Sequence, residues 1–137
     1  MPSVLLVEDD DKIRNMYAFA LRQEGFTVTD VGTAGEGLSL VQENTYDVIL
    51  LDMLLSGMSG LDLLRNYNVA LEAPQTKVVA LTNMESEAVE AKATDLGVVA
   101  YLNKANNEPQ QLVAFLKKLL GESAAPAAGA TGVADKA

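Results

Sequence analysis

The 137-residue sequence contains no cysteine, no histidine and no tryptophan, and aromatic residues make up only 5% of it. The lack of cysteine excludes disulfides, thiolate nucleophiles and zinc–thiolate sites. The lack of histidine removes the commonest general base and the commonest metal ligand of proteins. Any chemistry that this chain performs therefore depends on carboxylates, hydroxyls, amides and lysine.

Basic residues are also scarce, since Lys+Arg number 10 against 19 Asp+Glu, which gives a formal net charge of -9. This acidic balance argues against electrostatic binding of nucleic acid or of an anionic membrane. No apolar run approaches the length of a membrane span, and the first residues lack the charged start of a secretory signal. We therefore expect a cytoplasmic protein that binds neither nucleic acid nor membrane.

Five short apolar runs alternate with helical patterns along the chain; the runs begin at Val4, Thr27, Val48, Val78 and Val98. Four runs are continuously apolar, which is typical of strands buried on both faces, whereas the second is half polar, like an edge strand. Strands that alternate with crossover helices predict an α/β fold with a doubly wound five-stranded parallel sheet, in the order 2-1-3-4-5, flanked by five helices. We expect one domain over residues 1–121 and a flexible Ala/Gly/Pro-rich tail over 122–137.

Capping residues predict where several helices begin and end. Gly25 can end the first helix, and Gly97 can end the fourth, which we place roughly over residues 85–96. Thr33 is followed three residues later by Glu36, a spacing that is typical of a capping box at the start of the second helix. Pro109 suits the first turn of the fifth helix, because its missing N–H has no partner there in any case.

Polar residues follow the apolar runs where the strands of a parallel sheet would end; they are Glu8, Asp9, Asp10, Asp11, Asp52, Thr82, Asn83, Asn103 and Lys104. In open parallel sheets ligands bind beyond these carboxyl ends, near the point where the strand order reverses. One member of the acidic run, Asp10 or Asp11, is expected to cap the first helix. The remaining carboxylates would repel one another, and a hard divalent cation such as Mg²⁺ is the usual remedy. With a lysine and a hydroxyl beside them, they describe phosphoryl transfer to a carboxylate, and Asp52 lies nearest the centre.

Four segments, at residues 4–10, 47–60, 79–82 and 101–104, resemble those of the receiver domains of two-component response regulators, and the likeness covers roughly residues 3–121. The resemblance implies a single-domain, flavodoxin-like receiver in which Asp52 is the phosphoacceptor. It implies an Mg²⁺ site formed by Glu8, Asp9, Asp52 and the backbone carbonyl of Leu54. It also implies that Lys104 binds the phosphoryl group and that Thr82 and Tyr101 form the switch.

The same resemblance implies partners and a mode of action. A sensor histidine kinase or a phosphotransfer protein would donate the phosphoryl group to Asp52. The signal would leave through a downstream protein that contacts the face made by the fourth helix, fifth strand and fifth helix. Such a protein is a phosphoacceptor switch, not an enzyme with an outside substrate, and it catalyses only its own phosphorylation and slow dephosphorylation.

Two alternatives stay open at this point. The first is a receiver-like adaptor that is never phosphorylated. It is suggested by Ser56 and Ala105, which stand where family members usually carry proline, and by Asn83, where a small residue is usual. The second is a phosphatase with an aspartyl nucleophile, similar to the haloacid dehalogenases. That family places a second aspartate two residues after the nucleophile, where this chain has Leu54, so a general acid for the leaving group is missing.

Overall fold

Five parallel strands form one sheet in the computed structural model, which describes residues 2–53, 59–82, 87–106 and 108–124. The strand order β2-β1-β3-β4-β5 confirms the predicted order. The strands are β1 (Ser3–Val7), β2 (Thr27–Val31), β3 (Val48–Asp52), β4 (Lys77–Thr82) and β5 (Val98–Asn103). Because β1 and β3 are neighbours although β2 lies between them in sequence, the strand order reverses beside β1, and this is where a ligand site is expected.

Helices cover both faces of the sheet. Among the described residues they are α1 (Asp11–Gln23), α2 (Ala34–Glu43), α3 (Gly60–Asn66), α4 (Val69–Glu72), α5 (Glu87–Asp95), α6 (Pro109–Ala124) and a 3₁₀ turn (Lys104–Asn106). The single turn α4 was not predicted, because four residues are too few to show a helical period, so the predicted fourth and fifth helices are α5 and α6. In this part of the chain no helix is both long enough and apolar enough to cross a bilayer. Residues 125–137 of the predicted tail lie outside the described residues.

Capping residues hold the ends of these helices, and all of them except Ser59 were predicted above. The side chains of Asp10, Thr33 and Ser59 each accept a hydrogen bond from the backbone N–H three residues ahead, at the starts of α1, α2 and α3. Gly25 and Gly97 follow α1 and α5 with φ of 96° and 103°, a backbone conformation that side chains disfavour. The aspartate that caps α1 is therefore Asp10, which leaves Glu8 and Asp9 as the acidic residues at the end of β1.

The sheet divides the hydrophobic core into two clusters, because successive side chains of a strand point to opposite faces. In β1, Val4 and Leu6 pack with α1 and α6, while Leu5 and Val7 pack with α2, α3 and α5. Strand β3 alternates in the same way, and by this alternation its last residue, Asp52, lies on the α1/α6 side. The polar residues that follow the buried strands therefore lie together at the carboxyl ends of the strands.

The last strand departs from the expectation that it is buried on both faces. Strand β5 lies at the edge of the sheet, with β4 as its neighbour, and Val99 is 53% exposed. Val98 pairs with Val78, but Ala100 pairs with Val79, so Val99 is an extra residue in β5 and forms a bulge. The other edge strand, β2, is only partly buried, as its half-polar sequence predicts.

Candidate functional site

Three carboxylates meet where strands β1 and β3 end. One oxygen each from Glu8, Asp9 and Asp52 lies within 4.8 Å of the other two. Glu8 and Asp52 are 0% and 3% exposed, whereas Asp9 is exposed to solvent. Adjacent parallel strands bring these residues together across the sheet, although more than forty positions separate Asp9 from Asp52 in the sequence.

The ammonium group of Lys104 bridges the two buried carboxylates. Its Nζ lies 2.7 Å from Oε1 of Glu8 and 2.9 Å from Oδ2 of Asp52. The side chain of Lys104 is only 7% exposed, so both ion pairs are shielded from water. Buried charges of this kind are stable only when they are paired and hydrogen-bonded, and here one cation serves two anions.

A short turn after β5 carries Lys104 into this position. Among the described residues no peptide bond is cis, so the bond from Lys104 to Ala105 is trans. The side chain of Asn103 accepts a hydrogen bond from the N–H of Ala105 at 2.8 Å, which holds the start of the 3₁₀ turn. The lysine therefore reaches both carboxylates although Ala105 stands where receivers usually have proline.

Burial and pairing act against each other on the charged groups. Burial raises the pKa of Glu8 above its ordinary value of 4.5, although hydrogen bonds from Lys104 and from the N–H of Asp10 lower it in part. Burial alone would lower the pKa of Lys104, but its hydrogen bonds to Glu8 and Asp52 outweigh burial and raise the pKa above 10.5. The lysine is therefore a fixed positive charge at neutral pH.

Every polar group of Glu8 has a hydrogen-bond partner, and one of these partners was missed in the sequence. The N–H donates to the carbonyl of Val31 at 3.1 Å, and the carbonyl accepts from Nη1 of Arg14 at 2.8 Å. Oε1 accepts from Lys104, and Oε2 accepts from the N–H of Asp10 at 3.1 Å. The sequence shows only that Arg14 is an arginine in the first turn of the helix that directly follows the acidic run, which does not identify its partners.

The two predicted switch residues lie on the neighbouring strands. Thr82 ends β4 with 2% of its surface exposed and pairs with Asn103 across the sheet, while Tyr101 is half-buried and pairs with Ala80. Leu81, the residue before Thr82, pairs with Asp52, so the Thr82 backbone lies close to the carboxylate cluster. Leu54, Ser56 and Asn83 lie outside the described residues.

The donor set suits a hard divalent cation. Mg²⁺ prefers oxygen ligands and is usually held by one or two carboxylates together with water or phosphate oxygens. Glu8, Asp9 and Asp52 supply carboxylate oxygens that lie close together, and the cluster is open to solvent at the exposed Asp9. The arrangement therefore places three carboxylates that could hold a metal ion beside a fixed cation, at the carboxyl ends of the central strands.

The whole domain is similar to known proteins of one kind. A family model described as the response regulator receiver domain matches residues 4–117. The sensory transduction protein RegX3 of Mycolicibacterium smegmatis is 33% identical over 124 residues, which are 90% of this chain and 53% of that protein. The chain spans about half the length of the curated relatives it matches.

Two solved structures extend the similarity to the fold. A CheY-like response regulator receiver domain protein from Methanospirillum hungatei has a TM-score of 0.82 at 29% identity, covering 89% of this chain and 95% of its own. The BeF3-activated receiver domain of DrrB, from Thermotoga maritima, has a TM-score of 0.75 at 28% identity, covering 88% of this chain and 97% of its own. In both cases the match extends over nearly the whole of the other chain, so the similarity includes the sheet together with its helices.

Proposed function

Because the chain belongs to the response regulator receiver domain family, we propose that it is a signalling switch whose Asp52 accepts a phosphoryl group in an Mg²⁺-dependent reaction. The observation that carries this proposal is the buried triad in which Lys104 bridges Glu8 and Asp52, with Asp9 beside them. Three segments far apart in sequence supply these charged groups. A buried cluster of this kind is costly to maintain, and it is expected where charge serves a reaction.

In the proposed reaction a carboxylate oxygen of Asp52 attacks the phosphorus atom of a phosphohistidine. The new P–O bond forms as the P–N bond breaks, and the imidazole leaves with the electron pair of that bond. Lys104 would contact an oxygen of the transferred group, and Thr82 would donate its hydroxyl hydrogen to another. Glu8, Asp9, Asp52 and the carbonyl of Leu54 would hold Mg²⁺, which when bound would neutralise charge on the phosphoryl oxygens.

The partners follow from this chemistry. A sensor histidine kinase or a phosphotransfer protein would supply the phosphoryl group, and the downstream partner would contact the face made by α5, β5 and α6. A switch role for Thr82 and Tyr101 is supported by their positions, since Tyr101 lies on β5 of this face and Thr82 ends the neighbouring strand β4. Phosphorylation would favour one of two states of the face, which requires that it interact differently with each state.

Intact-mass spectrometry after incubation with acetyl phosphate and Mg²⁺ tests the proposal. The wild type should gain one phosphoryl group, and Asp52→Ala should gain none. Asp47→Asn is a matched control. Asp47 is an exposed aspartate that precedes the first residue of β3, at the end of the strand opposite Asp52, so this substitution should leave the gain in mass unchanged. A gain that persists in Asp52→Ala would overturn the assignment of the phosphoacceptor. No gain in the wild type would favour the adaptor that is never phosphorylated.

A further inference from the structure

We propose that Arg14 is a positioning residue, which fixes the backbone of the acidic loop (residues 8–10) and thereby sets the affinity of the site for Mg²⁺. The inference rests on the proposed function, since it assumes that Glu8, Asp9 and Asp52 hold the ion. Arg14 itself does not touch the carboxylate oxygens of these residues. It acts on Glu8 through the main chain.

The guanidinium of Arg14 joins three elements of the fold. Its Nη1 donates to the carbonyl of Glu8 at 2.8 Å, and its Nη2 lies 2.5 Å from Oδ1 of Asp11 in α1. Its Nε lies 3.3 Å from Oδ2 of Asp30 in β2. The side chain is 16% exposed, and a Cβ added at Gly32 would lie 3.1 Å from Nη1, so the group is closely packed.

These contacts hold Glu8 from two sides. Its N–H donates to the carbonyl of Val31 at the end of β2, and its carbonyl accepts from Arg14, which is itself paired with Asp30 of β2. Glu8 is fully buried in the intact protein, so its carbonyl relies on the Arg14 guanidinium as a hydrogen-bond donor. Asp9 follows directly in the chain, and a shift of the Glu8 backbone would therefore move both acidic residues relative to Asp52.

If only charge mattered, removing Arg14 would strengthen Mg²⁺ binding, whereas the positioning role predicts weaker binding. The two explanations can therefore be distinguished by experiment. A cation near the site repels Mg²⁺, so its removal would tighten binding if the field of Arg14 dominated. Two carboxylates, those of Asp11 and Asp30, contact the guanidinium and offset its charge locally. We therefore expect the loss of position to outweigh the gain in charge, so that removing Arg14 weakens binding.

Arg22 provides a matched control on the same face of α1, eight residues further on. It pairs with the other oxygen of Asp30 at 2.8 Å and donates to the carbonyl of Val28, but its bonds do not extend to the acidic loop. Arg14→Ala and Arg22→Ala each remove one cation and one partner of Asp30. Only the first removes the donor to Glu8.

Isothermal titration of the full chain with MgCl₂ gives the first measurement. Arg14→Ala should bind Mg²⁺ about 10-fold more weakly than the wild type, as is typical when a group that orients metal ligands is lost, and Arg22→Ala should bind like the wild type. Arg14→Lys should be intermediate, because an ammonium can donate to the carbonyl but cannot reproduce the planar fork. Hydrogen exchange of residues 8–10 without metal is the second readout, and it should quicken in Arg14→Ala alone.

The outcomes separate this inference from the proposed function. If the wild type shows no Mg²⁺ binding, the proposed metal site fails. If the wild type binds and Arg14→Ala matches Arg22→Ala, or binds more tightly than the wild type, the positioning role fails while the metal site stands. Circular dichroism checks that each variant is folded, and if Arg14→Ala unfolds, the comparison of Arg14→Lys with Arg22→Ala decides the question by the same criteria.

Discussion

Replacing Lys104 with methionine should destabilise the metal-free protein by about 3–5 kcal/mol, because it removes one partner from a buried set of charges. The lysine lies 2.7 Å from Glu8 and 2.9 Å from Asp52, and the three side chains are 7%, 0% and 4% exposed. Methionine keeps most of the volume of the lysine stem, so little packing is lost. The cost comes from two carboxylates left close together without a cation.

The size of this effect should depend on pH in a defined direction. The pKa of Lys104 is raised by folding, so its stabilisation is fully present below its ordinary value of 10.5 and is lost as the pH rises through the higher folded value. At neutral pH the wild type therefore has the full benefit. In Lys104→Met, acidification should recover part of the loss, since burial already raises the pKa of Glu8 and its protonation removes one of the two negative charges. Mg²⁺ should also recover part of it.

Urea unfolding followed by far-UV circular dichroism measures the free energy, because the chain has no tryptophan to serve as a fluorescence probe. Lys117→Met is the matched control. Lys117 pairs with Glu24 at 2.5 Å, but the two side chains are 54% and 45% exposed, so its loss should cost at most about 1 kcal/mol. The reasoning is refuted if both variants lose the same amount at neutral pH with chelator present, or if neither acid nor Mg²⁺ restores Lys104→Met.

Two further predictions concern α3, the helix that starts beside Asp52. A Cβ at Gly60 would lie 2.5 Å from the backbone oxygen of Asp52, so Gly60→Ala should cost about 1–3 kcal/mol in urea unfolding. Gly35→Ala, whose Cβ would meet nothing within 4 Å, should stabilise by about 0.5–1 kcal/mol, and a similar loss in both would contradict the steric argument. A hydrogen bond from the N–H of Ser59 lowers the pKa of Asp62 below 3.8, so the stability it gives is present above that value and is lost as the pH falls through the lower folded one. Acid unfolding of Asp62→Asn should therefore show a shallower pH dependence in that range, and an unchanged slope would contradict the capping role.

The strand order and the meeting of the acidic residues were predictable from short-range patterns. Continuous apolar runs marked the buried strands, and a half-polar run marked β2 as an edge. Once the order was known, the polar residues after β1 and β3 had to lie side by side. Elements with strong local signals, such as the N-caps at Asp10 and Thr33, were predictable for the same reason.

Features that are too short to show a period, or that depend on contacts between distant segments, were not predictable. The single turn α4 has too few residues to show a period, and the bulge at Val99 is defined only by its pairing with β4. Arg14 was missed because its partner Asp30 belongs to another element, and the value of the contact depends on both. Likewise, the sequence alone left open how Lys104 approaches Asp52 without a following proline.

The extra residue at Val99 interrupts the side-chain alternation of β5 without changing which face its paired residues occupy. Val98 and Tyr101 pack on the same side of the sheet although they are three positions apart, because the bulge reverses the phase of the strand between them. Without Val99 the strand would alternate regularly, and Ala100 and Tyr101 could keep their partners Val79 and Ala80. We therefore expect deletion of Val99, whose side chain is largely exposed, to leave Tyr101 on the side of α5, whereas deletion of Ala100 would leave the bulge without its following partner and disturb the pairing with β4.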